Sequence, residues 1–354
     1  MSRFFSKKFS SLTPYTPGEQ PKERRFIKLN TNENPYPPSP QSAKYAAKAA
    51  KCLNLYSSVS CDALAERFAE LYGIGVDEVL FTNGSDEALN FAFMAFCDDE
   101  HPAAFADITY GFYPVFAAVN NVPYTEIPLR DDMSIDPEDY IGINKTVFIA
   151  NPNAPTGLAL PLTDIERILV SNPDNIVVVD EAYVDFAEES AVSLIHKYDN
   201  LVVTQTFSKS RSLAGGRLGM AIACPELIRD LNTIKFSTNP YNVNTVTQAA
   251  GLGCLMDEEY TRKNIAELIR CRAVLSDGLR ELGFTVIPSS TNFVFAKHSE
   301  LSGEYIYTAL RECGILVRHF TLDRIKDYNR ITVGTEDEVA AVLDALKDIT
   351  EENA

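Results

Sequence analysis

The chain has 354 residues, 45% of them hydrophobic and 23% charged, with a formal net charge of −17. That length predicts a large domain with a smaller companion. The acidic excess argues against bulk nucleic-acid or anionic-membrane binding, and with no run of about 18 apolar residues no transmembrane helix is expected.

In chain order, the opening MSRFFSKKFSSL is basic and lacks the apolar stretch of a signal peptide, so it reads as an arm. Pro14, Pro17, Pro21, Pro35, Pro37, Pro38 and Pro40 make residues 1–40 an extended segment that wraps something. A helical pattern starts at Gln41, and an amphipathic one runs from Cys61 to Tyr72, closed by Gly73. Short apolar strands are then expected at 79–82, 103–108, 146–150, 176–180, 201–206 and 220–224. Helices fall between them: SDEALNFAFMAFC, 111–120, and 162–170 with Thr163 as N-cap. Continuous apolar runs separated by helices predict a mostly parallel sheet buried on both faces, an α/β domain over 41–240. From Tyr241 the texture changes. A long helical stretch to Leu282, a strand pair in FTVIPSSTNFVFAK, a helix at 303–312, strands ILVRHF and NRITVG, and a helix at 336–350 predict a smaller α+β domain over 241–354. The arm is expected beside it.

Seven Cys are scattered without a C-x-x-C pair or metal-ligand spacing, and the four His are isolated. Reduced thiols in a cytoplasmic protein, structural histidines and no metal site are the expectation.

Four loops following strands carry chemistry. FTNGSDEAL (81–89) turns at Gly84 and opens a helix at Ser85 or Asp86, whose backbone N–H groups form an anion site; ordinary helix capping is the plain alternative. NPNAPTG (151–157) is a rigid irregular loop in which Pro152 or Pro155 is a candidate for a cis bond. DEAYVDF (180–186) ends a strand on Asp180, with Tyr183 three residues on. TFSKSRSLAGGRLG (206–219) offers Lys209 between two serines and the guanidinium fork of Arg217. Each alone has a plain explanation, since a lysine at a sheet mouth is usually solvated. Together they supply what pyridoxal phosphate (PLP) needs: an amine for its aldehyde, an acid partner for its ring nitrogen, donors for its phenolic oxygen and a cradle for its phosphate.

NPNAPTG, DEAY, SKSRSLAGGRLG and NRITVG resemble the fold-type I PLP-dependent aminotransferases of class I/II, over nearly the whole chain. Within that group KLNTNENPYPPSP, DEAYVDF, TFSKSRSLAGGRLG and NPYNVN resemble the histidinol-phosphate aminotransferases. The resemblance implies that Lys209 carries the cofactor as a Schiff base and moves the substrate proton. It implies that Asp180 pairs with the ring nitrogen, that Asn153 and Tyr183 bond the phenolic oxygen, and that Tyr110 stacks on the ring. The backbone of Ser85 and Asp86, with Ser208 and Arg217, would hold the phosphate, and Thr206 would support them. Tyr56 would reach the phosphate from a neighbouring subunit, which implies a homodimer. Arg330 would bind an α-carboxylate of glutamate or 2-oxoglutarate. Arg318 and Tyr15 would meet the phosphate end of histidinol phosphate, and Asn32 and Asn34 would line the entrance. The chain departs from the pattern at Gly216, where Leu is common, and Arg211 adds a cation to which the sequence assigns no role.

The expected reaction exchanges an amino group between histidinol phosphate and 2-oxoglutarate. An aromatic or broad-specificity aminotransferase and a threonine-phosphate decarboxylase are the alternatives on the same scaffold. Outside enzymes, a non-catalytic PLP-binding regulator lacks an attached DNA-binding segment, and a plain α/β binding protein would show no PLP absorbance.

Overall fold

A computed structural model describes residues 2–10, 12–16, 18–21 and 24–353; Pro17 of the arm lies outside them. The amino-terminal half runs β1 (Ile27–Lys28), α1 (Pro40–Ala49), α2 (Asp62–Tyr72), β2 (Val79–Thr82), α3 (Ser85–Phe96), β3 (Ala103–Ala106), α4 (Tyr113–Asn120) and β4 (Tyr124–Ile127). It continues through β5 (Thr146–Ala150), α5 (Leu162–Ser171), β6 (Val177–Asp180), β7 (Leu201–Thr206), β8 (Gly219–Ala223) and α6 (Pro225–Thr238). Then follow α7 (Thr245–Leu255), α8 (Glu258–Glu281), β9 (Phe284–Ile287), β10 (Phe293–His298), α9 (Gly303–Glu312), β11 (Ile315–Leu316), β12 (Arg318–His319), β13 (Tyr328–Thr332) and α10 (Glu336–Glu351).

The central sheet has the order β2-β8-β7-β6-β5-β3-β4. Its inner strands read as unbroken apolar runs because successive side chains point to opposite faces and both faces are covered. Val177, Val179, Val203 and Ile149 pack into one core, with α2 and α5. Val178, Val202 and Phe148 pack into the other, with α3 and α4. Each such side chain contributes about 1.5–3 kcal/mol by leaving water.

Two expectations need correction, while the sheet is mostly parallel as expected, with β8 running antiparallel to both β7 and β2. Strand β2 therefore shares the direction of β7, and its carboxyl end reaches the same sheet edge as β5, β6 and β7. Thr163 does not cap α5, which begins one residue earlier, with Pro161 at the capping position. The long helical stretch after Tyr241 is two helices, broken at Met256 and Asp257.

The second core lies between α8, α10 and the antiparallel sheet β12-β13-β10-β9. Leu29 of the arm is buried in that core, and β1 pairs in parallel with β11. The arm thus stitches along the smaller unit before α1. Helix α7 buries Ala250, Cys254 and Leu255 in the core of the large unit, and on these packing grounds we propose the division near Asp257 rather than at Tyr241.

Candidate active site

Strand ends bring the four loops together. Asp180 ends β6 in register with Ala150 of β5 and Thr204 of β7, so the three side chains share one face of the sheet. Above them lies a cavity of about 170 Å³. Its lining includes Ala150, Asp180, Tyr183 and Lys209 from the strand ends and the loops after them, with Ser85, Asp86, Tyr110, Thr206, Ser208 and Arg217 around the rest. Small side chains at Ala150, Ala154 and Ala182 leave the space. Both Asn151–Pro152 and Ala154–Pro155 are cis.

Asp180 is 4% exposed. Burial pushes its carboxyl up to about 6, against the opposing effect of hydrogen bonds from the hydroxyls of Tyr113 and Thr204. Tyr113 Oη donates to Oδ2 at 3.0 Å and Thr204 Oγ1 to Oδ1 at 3.0 Å. A cationic ring nitrogen placed beside it would restore the carboxylate. Neither Tyr113 nor Thr204 was among the sequence candidates. Tyr113 stands three residues after Tyr110, and the two rings meet edge to face with centroids 5.7 Å apart. Thr204 is legible only once the β6–β7 register is known.

Lys209 Nζ donates to the carbonyl of Thr31 at 3.2 Å and lies 5.6 Å from the Tyr183 ring centroid. Its loop is held by Asn34, whose Nδ2 donates to the carbonyls of Lys209 and Ser210, each at 3.1 Å. Asn32 Nδ2 donates to Tyr183 Oη at 2.8 Å, and Asn32 Oδ1 accepts from Thr332 Oγ1 at 3.0 Å. The two arm asparagines therefore position the lysine loop and the tyrosine.

The start of α3 offers a candidate anion site. Its first-turn N–H groups have no partner within the helix and carry the positive end of its dipole. Gly84 precedes it with φ +81°, and a Cβ there would sit 2.5 Å from Arg217 Nη2. A Cβ on Gly219 would come within 2.3 Å of the Ser85 nitrogen, so β8 can pass beneath the helix start only as glycine. Arg217 Nη2 donates to Asp86 Oδ2 at 3.0 Å, and Tyr110 Oη donates to Asp86 Oδ1 at 2.5 Å. Burial and the Asp86 carboxylate push the Tyr110 phenol well above its usual range. Thr206 Oγ1 donates to Ser208 Oγ at 2.9 Å.

Other candidates stand apart from the cavity lining. Asn153 is buried with its amide already engaged: Nδ2 donates to the Ile108 carbonyl and Thr156 Oγ1, and Oδ1 accepts from Thr109 Oγ1. Tyr56 is 84% exposed and stacks on Tyr241, with ring centroids 4.6 Å apart. Arg318 and Arg330 are direct partners across β12 and β13. Arg330 is sandwiched by Phe293 and Phe320, donates to the Asn30 carbonyl at 3.1 Å, and leaves its Nε buried without a partner. Among the described residues no carboxylate pairs with it. Arg318 Nη2 donates to the Thr16 carbonyl at 3.5 Å, and the Tyr15 ring packs on Phe112 at 4.3 Å.

The cavity fits PLP by the chemistry of its donors. A primary amine, a buried carboxyl with two hydroxyl supports, and a helix start flanked by serine and arginine converge on one space. No group of three or more His, Cys, Asp or Glu among the described residues could hold a metal ion. All seven cysteines are free, and among the described residues no helix is long and apolar enough to cross a membrane.

Comparison with known proteins agrees. The family model for aminotransferase class I and II matches residues 24–346. A histidinol-phosphate aminotransferase of Marinomonas sp. is 48% identical over 351 residues, covering 98% of this chain and 99% of that protein. Among solved structures, the histidinol-phosphate aminotransferase of Sinorhizobium meliloti in complex with pyridoxal-5'-phosphate superposes with TM-score 0.91 at 22% identity, covering 100% of this chain and 99% of that one. The L-threonine-O-3-phosphate decarboxylase of Porphyromonas gingivalis reaches 0.80 at 22% identity, covering 92% and 99%. Those two likenesses establish the fold alone; the family is established by the model match and by the full-length identity, and the chain belongs to the class I and II aminotransferases.

Proposed function

We propose that the protein transfers an amino group between histidinol phosphate and 2-oxoglutarate, with Lys209 as the catalytic amine. When bound, PLP supplies an aldehyde that condenses with amines and a ring that accepts electron density from the substrate α-carbon. The chain's own residues do the rest. Lys209 Nζ would hold the cofactor and would take and return the substrate's α-proton. Asp180, as carboxylate, holds a proton on the ring nitrogen. Tyr183, oriented by Asn32, and Asn153 support the phenolic oxygen; for Asn153 this requires exchange of one of its present partners. The start of α3, Ser208 and Arg217 hold the phosphate, with Arg217 exchanging part of its contact with Asp86.

The observation that carries the substrate class is the Arg318–Arg330 pair. Guanidinium forks suit carboxylate and phosphate alike, and Arg330 is buried without a carboxylate partner. One place can therefore receive the carboxylate of glutamate in one half-reaction and the phosphate end of histidinol phosphate in the other, with Tyr15 beside it. The full-length relatives support this over threonine-phosphate decarboxylation, which shares only the scaffold. Exposure of Tyr56 and its stacking on Tyr241 support a homodimer in which Tyr56 reaches the partner's phosphate site. Free thiols support a cytoplasmic setting.

The test is a half-reaction screen with histidinol phosphate, phenylalanine, tyrosine and threonine phosphate. Conversion of the cofactor's absorbance band should be fastest with histidinol phosphate. Faster conversion with an aromatic amino acid, or carbon dioxide release from threonine phosphate, would overturn the assignment.

A further inference from the structure

Arg211 lies two residues past the catalytic lysine, and its side chain is only 5% exposed. Its Nη1 donates to Glu258 Oε1 at 2.5 Å, and its guanidinium stands over the Phe207 ring at 5.3 Å. Glu258 is the first residue of α8, in the smaller unit. Asp185 and the Tyr72 phenol also face the guanidinium and favour its charge against burial. Asp185 in turn accepts a hydrogen bond from Ser210 Oγ, the residue between Lys209 and Arg211. Asp185 also lies two residues after Tyr183 on its loop.

A second grip occurs further along the same helix. Arg272 Nη1 donates to the Thr291 carbonyl at 2.6 Å and to that of Phe186, the last residue of the Tyr183 loop, at 3.5 Å. At about 1.5 Å of rise per residue, Arg272 lies roughly 21 Å from Glu258 along the helix. One helix thus contacts the lysine loop at its start and the tyrosine loop some four turns later.

Stability alone is a weak reason for this arrangement. A buried ion pair must recover the cost of desolvating both ions, and well-packed apolar residues often do as well or better. What apolar packing lacks is direction: a guanidinium fork fixes the angle of the segment that carries it.

We propose that α8 is a strut which sets the Lys209 amine against the cofactor pocket, with Arg211 as its positioning residue and Glu258 and Asp185 as its two anchors. The inference rests on Lys209 holding the cofactor, as proposed above. Arg211 touches no reacting atom. It acts by fixing the backbone that presents Lys209, while Asn34 fixes the same backbone from the arm side.

The test uses the full-length protein, stripped of PLP and reloaded. Arg211→Lys keeps the charge but loses the fork; Glu258→Gln keeps the shape and loses the charge. Three quantities are read well below each protein's melting midpoint: the rate of PLP capture at Lys209, trapped by borohydride and located by mass spectrometry; the visible circular dichroism per bound cofactor; and the melting midpoint of the stripped protein. Both variants should capture PLP about tenfold more slowly, with weakened dichroism, as expected of a misplaced amine. Wild-type capture and dichroism in Glu258→Gln, whether or not its melting midpoint falls, would make Arg211 a plain structural ion pair and overturn the proposal. Glu258 is 21% exposed, so that variant decides the matter should Arg211→Lys fail to fold. A wild-type protein that captured no PLP would strike at the proposed function instead, so the two failures are distinguishable.

Discussion

At the sheet edge, the polar groups of the cofactor pocket have fixed protein partners. Asp180 is held by Tyr113 and Thr204, Asp86 by Arg217 and Tyr110, and Tyr183 by Asn32. In the smaller unit, Arg330 sits between two aromatic rings with a carbonyl as its hydrogen-bond acceptor and its Nε unpaired. The first region is built to hold one resident group in one geometry. The second keeps cationic donors in reserve, which suits the carboxylate and phosphate recognition proposed for the arginine pair. Burial also acts in opposite senses: it raises the Asp180 carboxyl and lowers the Arg330 guanidinium, in each case disfavouring the ion. A ligand of opposite charge relieves both.

Removing the resident group's anchor should have the largest effect. Lys209→Ala should lose turnover by a factor of about 10³ or more, the upper range for a positioned proton-transfer group, and borohydride should fix no PLP at residue 209; measurable multiple turnover would sink the assignment. Asp180→Asn comes next, with turnover falling about 10²–10³-fold, as for loss of one preorganised electrostatic partner. Its stability should move the other way. The folded carboxyl titrates near 6, above its usual value of 3.8, so the native state holds its proton more tightly than the unfolded chain between these values. Stability without cofactor is therefore lost as pH rises through that window. At 1.36 kcal/mol per unit the penalty is at most about 3 kcal/mol above pH 7. Asp180→Asn should abolish it, so the stripped variant should melt above the wild type at pH 8 and level with it near pH 4.

The arginine pair should show smaller, substrate-selective effects. Arg330→Met should raise KM for 2-oxoglutarate by about 10²-fold, near the 2–3 kcal/mol of a charge-assisted contact. Because it removes a buried, incompletely partnered cation, the stripped protein should be no less stable. Arg318→Gln should raise KM for histidinol phosphate about tenfold and that for 2-oxoglutarate less. Equal losses on both substrates in both variants would erase the division of labour between the arginines.

The large unit was legible because its strands are continuous apolar runs whose ends carry Asp180 and the NPNAPTG and lysine loops. Strand β4 was missed because YTEI lies at the sheet edge with three of its four residues exposed, so it carries no buried pattern. ILVRHF read as one strand, yet its residues divide between two sheets, β11 pairing with β1 and β12 with β13. The break between α7 and α8, on which the proposed division rests, was not legible because two residues do not disturb helical periodicity and the packing partner of α7, α1, lies about 200 residues earlier in the chain. The same limit hid Arg211: its partners Tyr72, Asp185 and Glu258 are distant in sequence, and a charge beside a lysine shows no partner until the chain is folded. Asn153 was legible as a special residue, but its engagement with Thr109, Ile108 and Thr156 was not.

The smallest expected effect concerns Tyr113, which the sequence left unmarked. Tyr113→Phe keeps the buried ring and its edge contact with Tyr110 while removing one of the two hydroxyl donors to Asp180. A lost donor to a buried carboxylate costs about 1 kcal/mol, or roughly 0.7 of a pKa unit, and it falls on the ionised form. Without cofactor, the Asp180 carboxyl should therefore titrate higher than its value of about 6. If binding requires the carboxylate, the acid limb of PLP affinity should shift to higher pH by about that amount, with the two proteins converging in alkali. Glu181, pushed up to about 7 by its own burial, overlaps this window. Its donors are Ser190, Gln205 and the Ala191 nitrogen, none of which the substitution touches. The difference between the two titrations therefore isolates Asp180, and an acid limb that did not move would show that the pocket's fixed partners do not set its charge.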